Sequence, residues 1–464
     1  HTSIRHCRDI AKRLQKKTDD APSKHVIIPV LALPKALDAL SKIYLAGVLH
    51  GEEPEHRERA AEALQLAISC STKEGLKAHV VTIAGPLIRV VSEKFPSSVR
   101  AALLDCLSTL VEKGGIALKP FVPQIQTTFL KSLNEQNRAP RISSAKGLGL
   151  LMTLQLRVDS LAADLTRKLS EEGALDEGCV EAHFEALRGV ARYGGDRITP
   201  ETLELALNAS TNVALNSEDE YVRIASARCA AACATLLFND ADENAEKRTE
   251  WLKFANENTT IASREGKSKI LSEFSRLAPE NILKYHASAI LNALAKSLTD
   301  DRKQIKMNCA NGLGYIGKKC VEIEGASSET VAKIFKALTK PLRDSSGEIR
   351  DAASRAIRSM VKCASLSNDE DIANHFGIFL SDLSEVAVAD KHDDARRNAE
   401  RSIFRALQLH LGPENAMKHL RPGCTGEAAR SKLSDLNLRK LASLPDESDD
   451  EFSMDGYYEE ELYV

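Results

Sequence analysis

No run of 18 apolar residues occurs in the 464-residue chain, so no segment reads as a bilayer-spanning helix, and no secretory leader is recognised. Cysteine is never arranged as C-x-x-C. Ten cysteines are scattered, and only Cys229 and Cys233 stand one helical turn apart, with no histidine beside them. That excludes zinc-ribbon and thioredoxin-type spacing and predicts buried, reduced thiols. Aromatics are scarce, at 5% with a single Trp, so the core must be built from small and γ-branched side chains. Charge of one sign is lacking too: 63 bases against 66 acids leave a net of −3. A nucleic-acid-binding face gains no support from that balance. No G-x-x-x-x-G-K-[ST], H-E-x-x-H or G-x-S-x-G motif is present.

What the chain does have is a repeat. A segment reading V-R-x-A-x-x-x-L recurs after short polar turns, as at Val99-Arg100-Ala101-Ala102, Val222-Arg223-Ile224-Ala225 and Ile349-Arg350-Asp351-Ala352. With the basic position as a ruler, Arg59, Arg100, Arg141, Arg223, Arg264, Lys306, Arg350 and Arg396 fall at steps of 41, 41, 82, 41, 42, 44 and 46. The double step passes over Val180-Glu181-Ala182, where Glu stands at the basic place. A period near 41 belongs to HEAT and armadillo repeats.

Each unit divides into two helices. One first helix is expected over about Gly75–Phe95, with Val80, Ile83, Ala84, Leu87 and Val91 as its buried stripe and a kink at Gly85-Pro86. Its partner covers about Ser97–Lys113, and the next pair about Leu118–Leu133 and Arg141–Leu154. Similar pairs continue to about Leu411, with a short helical piece at 426–443. The expected fold is an all-α HEAT/armadillo-type α-solenoid of about ten antiparallel helix pairs. The recurring Arg is expected to point outward and pair with an acid of the adjacent unit. The expected divisions are a HEAT array over 1–300, further HEAT-like repeats over 301–443, and an acidic tail over 444–464. The stretch from Asp446 to Val464 holds nine acids and no Lys or Arg. The start at His1 is read as that of a fragment or a processed product.

Catalytic readings find little footing. Gly312-x-Gly314-x-x-Gly317 has dinucleotide-loop spacing, but it lies inside a helix pattern with no strand before it, so a packing role is expected. Lys146-Gly147-Leu148-Gly149 occupies the equivalent place close to four periods earlier. The twelve histidines are dispersed, and His183 reads as a satisfied polar side chain on a helix. Neither a metal nor a cofactor is expected, and the chain reads as a binding scaffold.

Two stretches narrow the family. Ile83-Ala84-Gly85-Pro86-Leu87-Ile88-Arg89-Val90-Val91 and the run from Ile116 to Leu133, with Lys119-Pro120-Phe121-Val122-Pro123-Gln124, closely resemble the C-terminal part of the general-control translational activator family. The match is specific over about residues 50–165, and beyond that it is mainly repeat pattern. The resemblance implies a ribosome-associated, cytoplasmic activator that binds the RWD domain of the initiation factor 2 α-subunit kinase. Such a protein couples ribosome stalling or amino-acid starvation to kinase activation and translational control. Its implied partners are that kinase and, through the full-length protein, ribosomes and polysomes, with no membrane and no small-molecule cofactor.

The resemblance places the family's kinase-binding arginine at Arg89. On a helix Arg89 lies about 200° round from Leu87, away from the buried stripe, and Thr82, Gly85, Ser92 and Glu93 share its side. Thr82, Arg89, Ser92 and Glu93 are therefore the candidate kinase-binding residues. The alternative role for Arg89 is a surface ion pair with Glu93 at i+4. Two other functions are kept in view: a nuclear transport receptor of similar solenoid build, binding a small GTPase and cargo, and an enzyme with a cryptic site.

Overall fold

The computed structural model describes residues 34–171, 173–238, 245–256, 260–320, 328–364, 382–387 and 390–406, and no strand occurs among them. Two compact units divide the chain between Ala209 and Ser210. The first holds α1 (Pro34–His50), α2 (Pro54–Ser69), α3 (Lys73–Lys77), α4 (Val80–Val91), α5 (Ser97–Gly114), α6 (Val122–Ser132), α7 (Arg138–Leu151), α8 (Asp159–Ser170) and α9 (Glu177–Gly194). The division falls within α10 (Pro200–Asn216). The second unit continues with α11 (Glu220–Leu237), α12 (Ala245–Trp251), α13 (Ile261–Leu277), α14 (Glu280–Ser297), α15 (Lys303–Cys320), α16 (Ser328–Leu342), α17 (Gly347–Ala364) and α18 (Asp393–Ala406).

In each unit the second helices of successive hairpins pack on one another in chain order. These are α2, α5, α7 and α9 in the first unit, and α11, α13, α15, α17 and α18 in the second. The first helices pack back onto their own partners, as α4 does on α5 and α16 on α17. This two-layer stacking of hairpins is all-α HEAT-type solenoid architecture. The division expected near residue 300 falls inside the second unit, between α14 and α15. The helical piece at 426–443 and the acidic stretch 444–464 lie outside the described residues.

The expected helix over Gly75–Phe95 is two helices. The Thr72 side chain accepts from Gly75 N at 3.0 Å and caps α3, and the His79 carbonyl then accepts from Ile83 N at 3.0 Å and starts α4. The helix runs unbroken through Gly85-Pro86, so the interruption, at Ala78-His79, lies about two turns earlier than the expected kink. The run read as a helix from Leu118 opens as a 3-10 turn, Gly115–Phe121, and becomes α-helical at Val122. Pro120 lacks the amide an α-helix would use, while Pro123 sits in the first turn of α6, where that amide has no helical partner.

The basic ladder is built inward. The base stands three residues after the first residue of the second helix: Ser97 and Arg100, Arg138 and Arg141, Glu220 and Arg223, Ile261 and Arg264, Lys303 and Lys306, Gly347 and Arg350, Asp393 and Arg396. A cation there opposes the helix dipole. It is compensated in two ways, and Arg223 and Arg350 use both. One guanidinium nitrogen donates to carbonyls of the preceding turn: Arg141 to Glu135 and Gln136 at 2.8 and 2.7 Å, Arg223 to Ser217 and Glu218 at 2.9 and 3.1 Å, Arg350 to Asp344 and Ser345 at 2.6 and 2.9 Å.

The other side of the base meets a carboxylate one repeat onward. Arg100 pairs with Glu135, Arg223 with Glu265, Arg264 with Asp300, Lys306 with Asp344 and Arg350 with Asp390. The expected inter-unit pairing is present, but the bases do not point outward: Arg141 and Arg223 are buried. Where Glu181 replaces the base, Arg138 of the preceding hairpin donates to it through Nε and Nη2 at 2.9 and 2.8 Å. In the first hairpin Arg59 is exposed. Arg57, three residues after Pro54, takes the structural role and donates to the Val48 and Leu49 carbonyls at 2.7 and 2.9 Å.

The glycines of the dinucleotide-like motif lie within α15 and let helices close on it. A Cβ on Gly312 would stand 3.1 Å from Ser272 Cα, one on Gly314 2.7 Å from Ala356 Cα, and one on Gly317 2.3 Å from the Met360 side chain. Gly149 and Gly189 bring α7 and α9 together in the same way, with a Cβ on Gly149 only 2.8 Å from Gly189 Cα.

Candidate protein-docking site

α4 reads V-V-T-I-A-G-P-L-I-R-V-V, and its buried residues are Val80, Ile83, Ala84, Leu87, Val90 and Val91. These fall at helical spacing and anchor the helix on α5. Thr82, Arg89, Ser92 and Glu93 are all exposed on the other side. The Thr82 hydroxyl donates to the His79 carbonyl at 2.8 Å, and the Ser92 hydroxyl to the Ile88 carbonyl at 3.3 Å. Among the described residues Arg89 forms no side-chain hydrogen bond or ion pair, and the i+4 pair with Glu93 is not made. Its guanidinium keeps a planar fork of donors able to grip a carboxylate.

Two residues in α4 oppose a helix without helping the chain itself. Glycine in a helix interior costs about 1 kcal/mol relative to alanine. Yet a Cβ on Gly85 would meet nothing within 4 Å. Pro86 has no N–H for the Thr82 carbonyl, which its helix would otherwise bond. The surface beside Arg89 is thus open, and the Thr82 carbonyl lacks its usual i+4 donor.

The structure adds residues that periodicity did not single out. Val81, 56% exposed, precedes Thr82 on α4, and Ile43, 64% exposed, lies on α1, which packs against α4. His79 Nδ1, just before α4, stands 3.6 Å from Asp38 Oδ1 on α1. Asp38 is also bonded by Lys42 at 2.7 Å, and that hydrogen bond holds its carboxyl below the usual range. Val81 was legible only as the residue after Val80, 100° off the buried stripe. Ile43 carried no signal, since its exposure depends on which neighbours α1 receives.

The other candidates are structural. His183 is buried, with Nδ1 at 2.9 Å from the Cys179 carbonyl, and burial lowers its pKa. Cys229 and Cys233 are buried, and no group of three or more His, Cys, Asp or Glu placed to hold a metal occurs among the described residues. Glu273 is buried beside Lys269 at 3.1 Å and Arg276 at 2.8 Å. Burial would raise its carboxyl, but Lys269, Arg276 and Arg228 hold it far below the usual range. No described helix is long and apolar enough to cross a membrane.

Residues 159–455 match the family model described as stalled ribosome sensor GCN1-like, HEAT repeats. This is the stretch in which sequence reading found mainly repeat pattern. Protein ILITYHIA of Arabidopsis thaliana is 30% identical over 435 residues, 93% of this chain and 15% of its own length. Human stalled ribosome sensor GCN1 is 28% identical over 95% of this chain and 16% of its own length. The eIF-2-alpha kinase activator GCN1 of Saccharomyces cerevisiae is 35% identical over 214 residues, 46% of this chain and 8% of its own length. The chain therefore spans about a sixth or less of these relatives. Among solved structures, a chain of the Kap95:Nup1 complex superposes with a TM-score of 0.55 at 14% identity, covering 88% of this chain and 52% of that one. An importin-β crystal structure gives 0.51 at 13% identity, covering 93% and 64%. At such identities the likeness is of fold alone.

Proposed function

We propose, from the premise that this chain belongs to the stalled ribosome sensor GCN1-like family of HEAT-repeat proteins, that it is a docking scaffold in translational control. Its α4 face binds the RWD domain of the initiation factor 2 α-subunit kinase, and Arg89 supplies the central contact. The chain acts as part of a cytoplasmic, ribosome-associated protein that turns ribosome stalling or amino-acid starvation into kinase activation. It presents a surface and carries out no chemistry of its own.

The observation that carries the reading is Arg89: exposed, without a side-chain partner among the described residues, and close to an open glycine. The name of the yeast relative, eIF-2-alpha kinase activator GCN1, supports the choice of partner. The solenoid likeness to importin-β gives the transport-receptor reading no support beyond the fold. The test is a pull-down of the kinase RWD domain with the chain and with Arg89→Ala. Loss of capture with an unchanged helical circular-dichroism spectrum is expected, and retained capture by the folded variant would refute the reading.

A further inference from the structure

We infer that the docking face is composite: α1 contributes Ile43, and α4 contributes Val81 and Gly85, so that the partner meets an apolar patch beside Arg89. This rests on the proposal that α4 binds the kinase, and it adds a second helix and the chemistry of the partner's side.

Four observations converge. Ile43 and Val81 are 64% and 56% exposed on helices that pack together, with Asp38 and His79 3.6 Å apart between them. Ala39, Lys42 and Ala46 are exposed with Ile43 at helical spacing, and Asp38 already neutralises Lys42. Arg89 is thus a cation on this face with no partner among the described residues, able to take one carboxylate through its planar fork.

The glycines make the third point. Gly147, Gly149, Gly189, Gly266, Gly312, Gly314 and Gly317 lie in helices where a Cβ would come within 3.1 Å of a neighbouring atom. Gly85 is helical too, but a Cβ there would meet nothing. No described neighbour requires glycine at that place, whereas close approach of a partner backbone does. Fourth, Pro86 frees the Thr82 carbonyl, and the Thr82 hydroxyl is already spent on His79. A donor from outside the chain would satisfy that acceptor. The fitting partner surface is a single acid set among small apolar side chains, with an N–H or O–H donor close by.

The experiment is a calorimetric titration of the 464-residue chain with the kinase RWD domain, using Ile43→Ser, Val81→Ser and Arg89→Ala. Serine removes the apolar contact without placing a charge near Arg89. Both serine variants should keep the parent melting temperature and weaken binding at least fivefold, and Arg89→Ala should weaken it more. If Arg89→Ala weakens binding while both serine variants stay within twofold of the parent, the composite face is wrong and the arginine reading stands. If Arg89→Ala itself stays within twofold, both fall.

Discussion

Arg350 grips Asp390 across 40 residues of chain, with Nε to Oδ2 and Nη2 to Oδ1 both at 2.5 Å, while its Nη1 holds two carbonyls of its own preceding turn. The side chain of Asp390 is 1% exposed. Arg396, one repeat onward, in turn donates to the Asp390 carbonyl at 2.9 Å. One acid therefore serves two repeats, through its side chain and its backbone. That coupling lets a stack without a single central core behave cooperatively.

Arg350→Ala should destabilise the chain by about 2–4 kcal/mol, because it leaves a buried carboxylate unpaired. Arg167→Ala removes a pair whose partners are 58% and 53% exposed, and it should change stability by less than about 0.5 kcal/mol. Urea unfolding of the two variants checks the contrast. Burial would raise the Asp390 carboxyl, but Arg350 and the His392 amide hold it below the usual range. A lowered carboxyl stabilises the fold above its unfolded pKa of about 4 and loses that contribution as pH falls further. Acid unfolding below about pH 4 should therefore be blunted in Arg350→Ala.

Asp105, half-buried on α5, should show the opposite sign. Burial pushes its carboxyl up to about 6, against the pull of Lys146. A raised acid favours folding below its unfolded pKa, and that advantage fades as pH climbs through about 6. Asp105→Asn should stabilise the chain at pH 7 by about 1–2 kcal/mol. The gain should shrink as pH falls from about 6 and vanish below about pH 3, where Asp105 is neutral in both the folded and unfolded chain. Melting temperatures across that range test it.

Gly85→Ala and Gly314→Ala should diverge. Alanine at Gly85 enters open space and should add about 0.5–1 kcal/mol of helix stability. Alanine at Gly314 would press on the Ala356 backbone at 2.7 Å and should cost about 1–3 kcal/mol. If Gly85→Ala also weakens RWD binding while raising the melting temperature, the glycine serves the partner and not the fold.

The repeat was legible because its basic positions recur near every 41 residues and its apolar residues recur every three to four. Direction was not. Nothing in V-R-x-A says whether the arginine turns in or out. That depends on the carboxylate one repeat onward and on the bared carbonyls of the turn, a pairing visible only in three dimensions. The same ambiguity let Arg59 stand on the ruler in place of Arg57. At the proposed docking face, Arg89, Thr82, Ser92 and Glu93 were readable as the side opposite Leu87 from helical geometry alone. Ile43 was not, since its exposure follows from how α1 meets α4.

The central claim is that the α4 face docks the kinase. Amide hydrogen exchange of the chain, read with and without a saturating RWD domain, tests it most directly. Slowed exchange should appear in peptides covering Val80–Glu93 and Pro34–His50. Slowing confined to other helices, with these two stretches exchanging at their unbound rates, would contradict it.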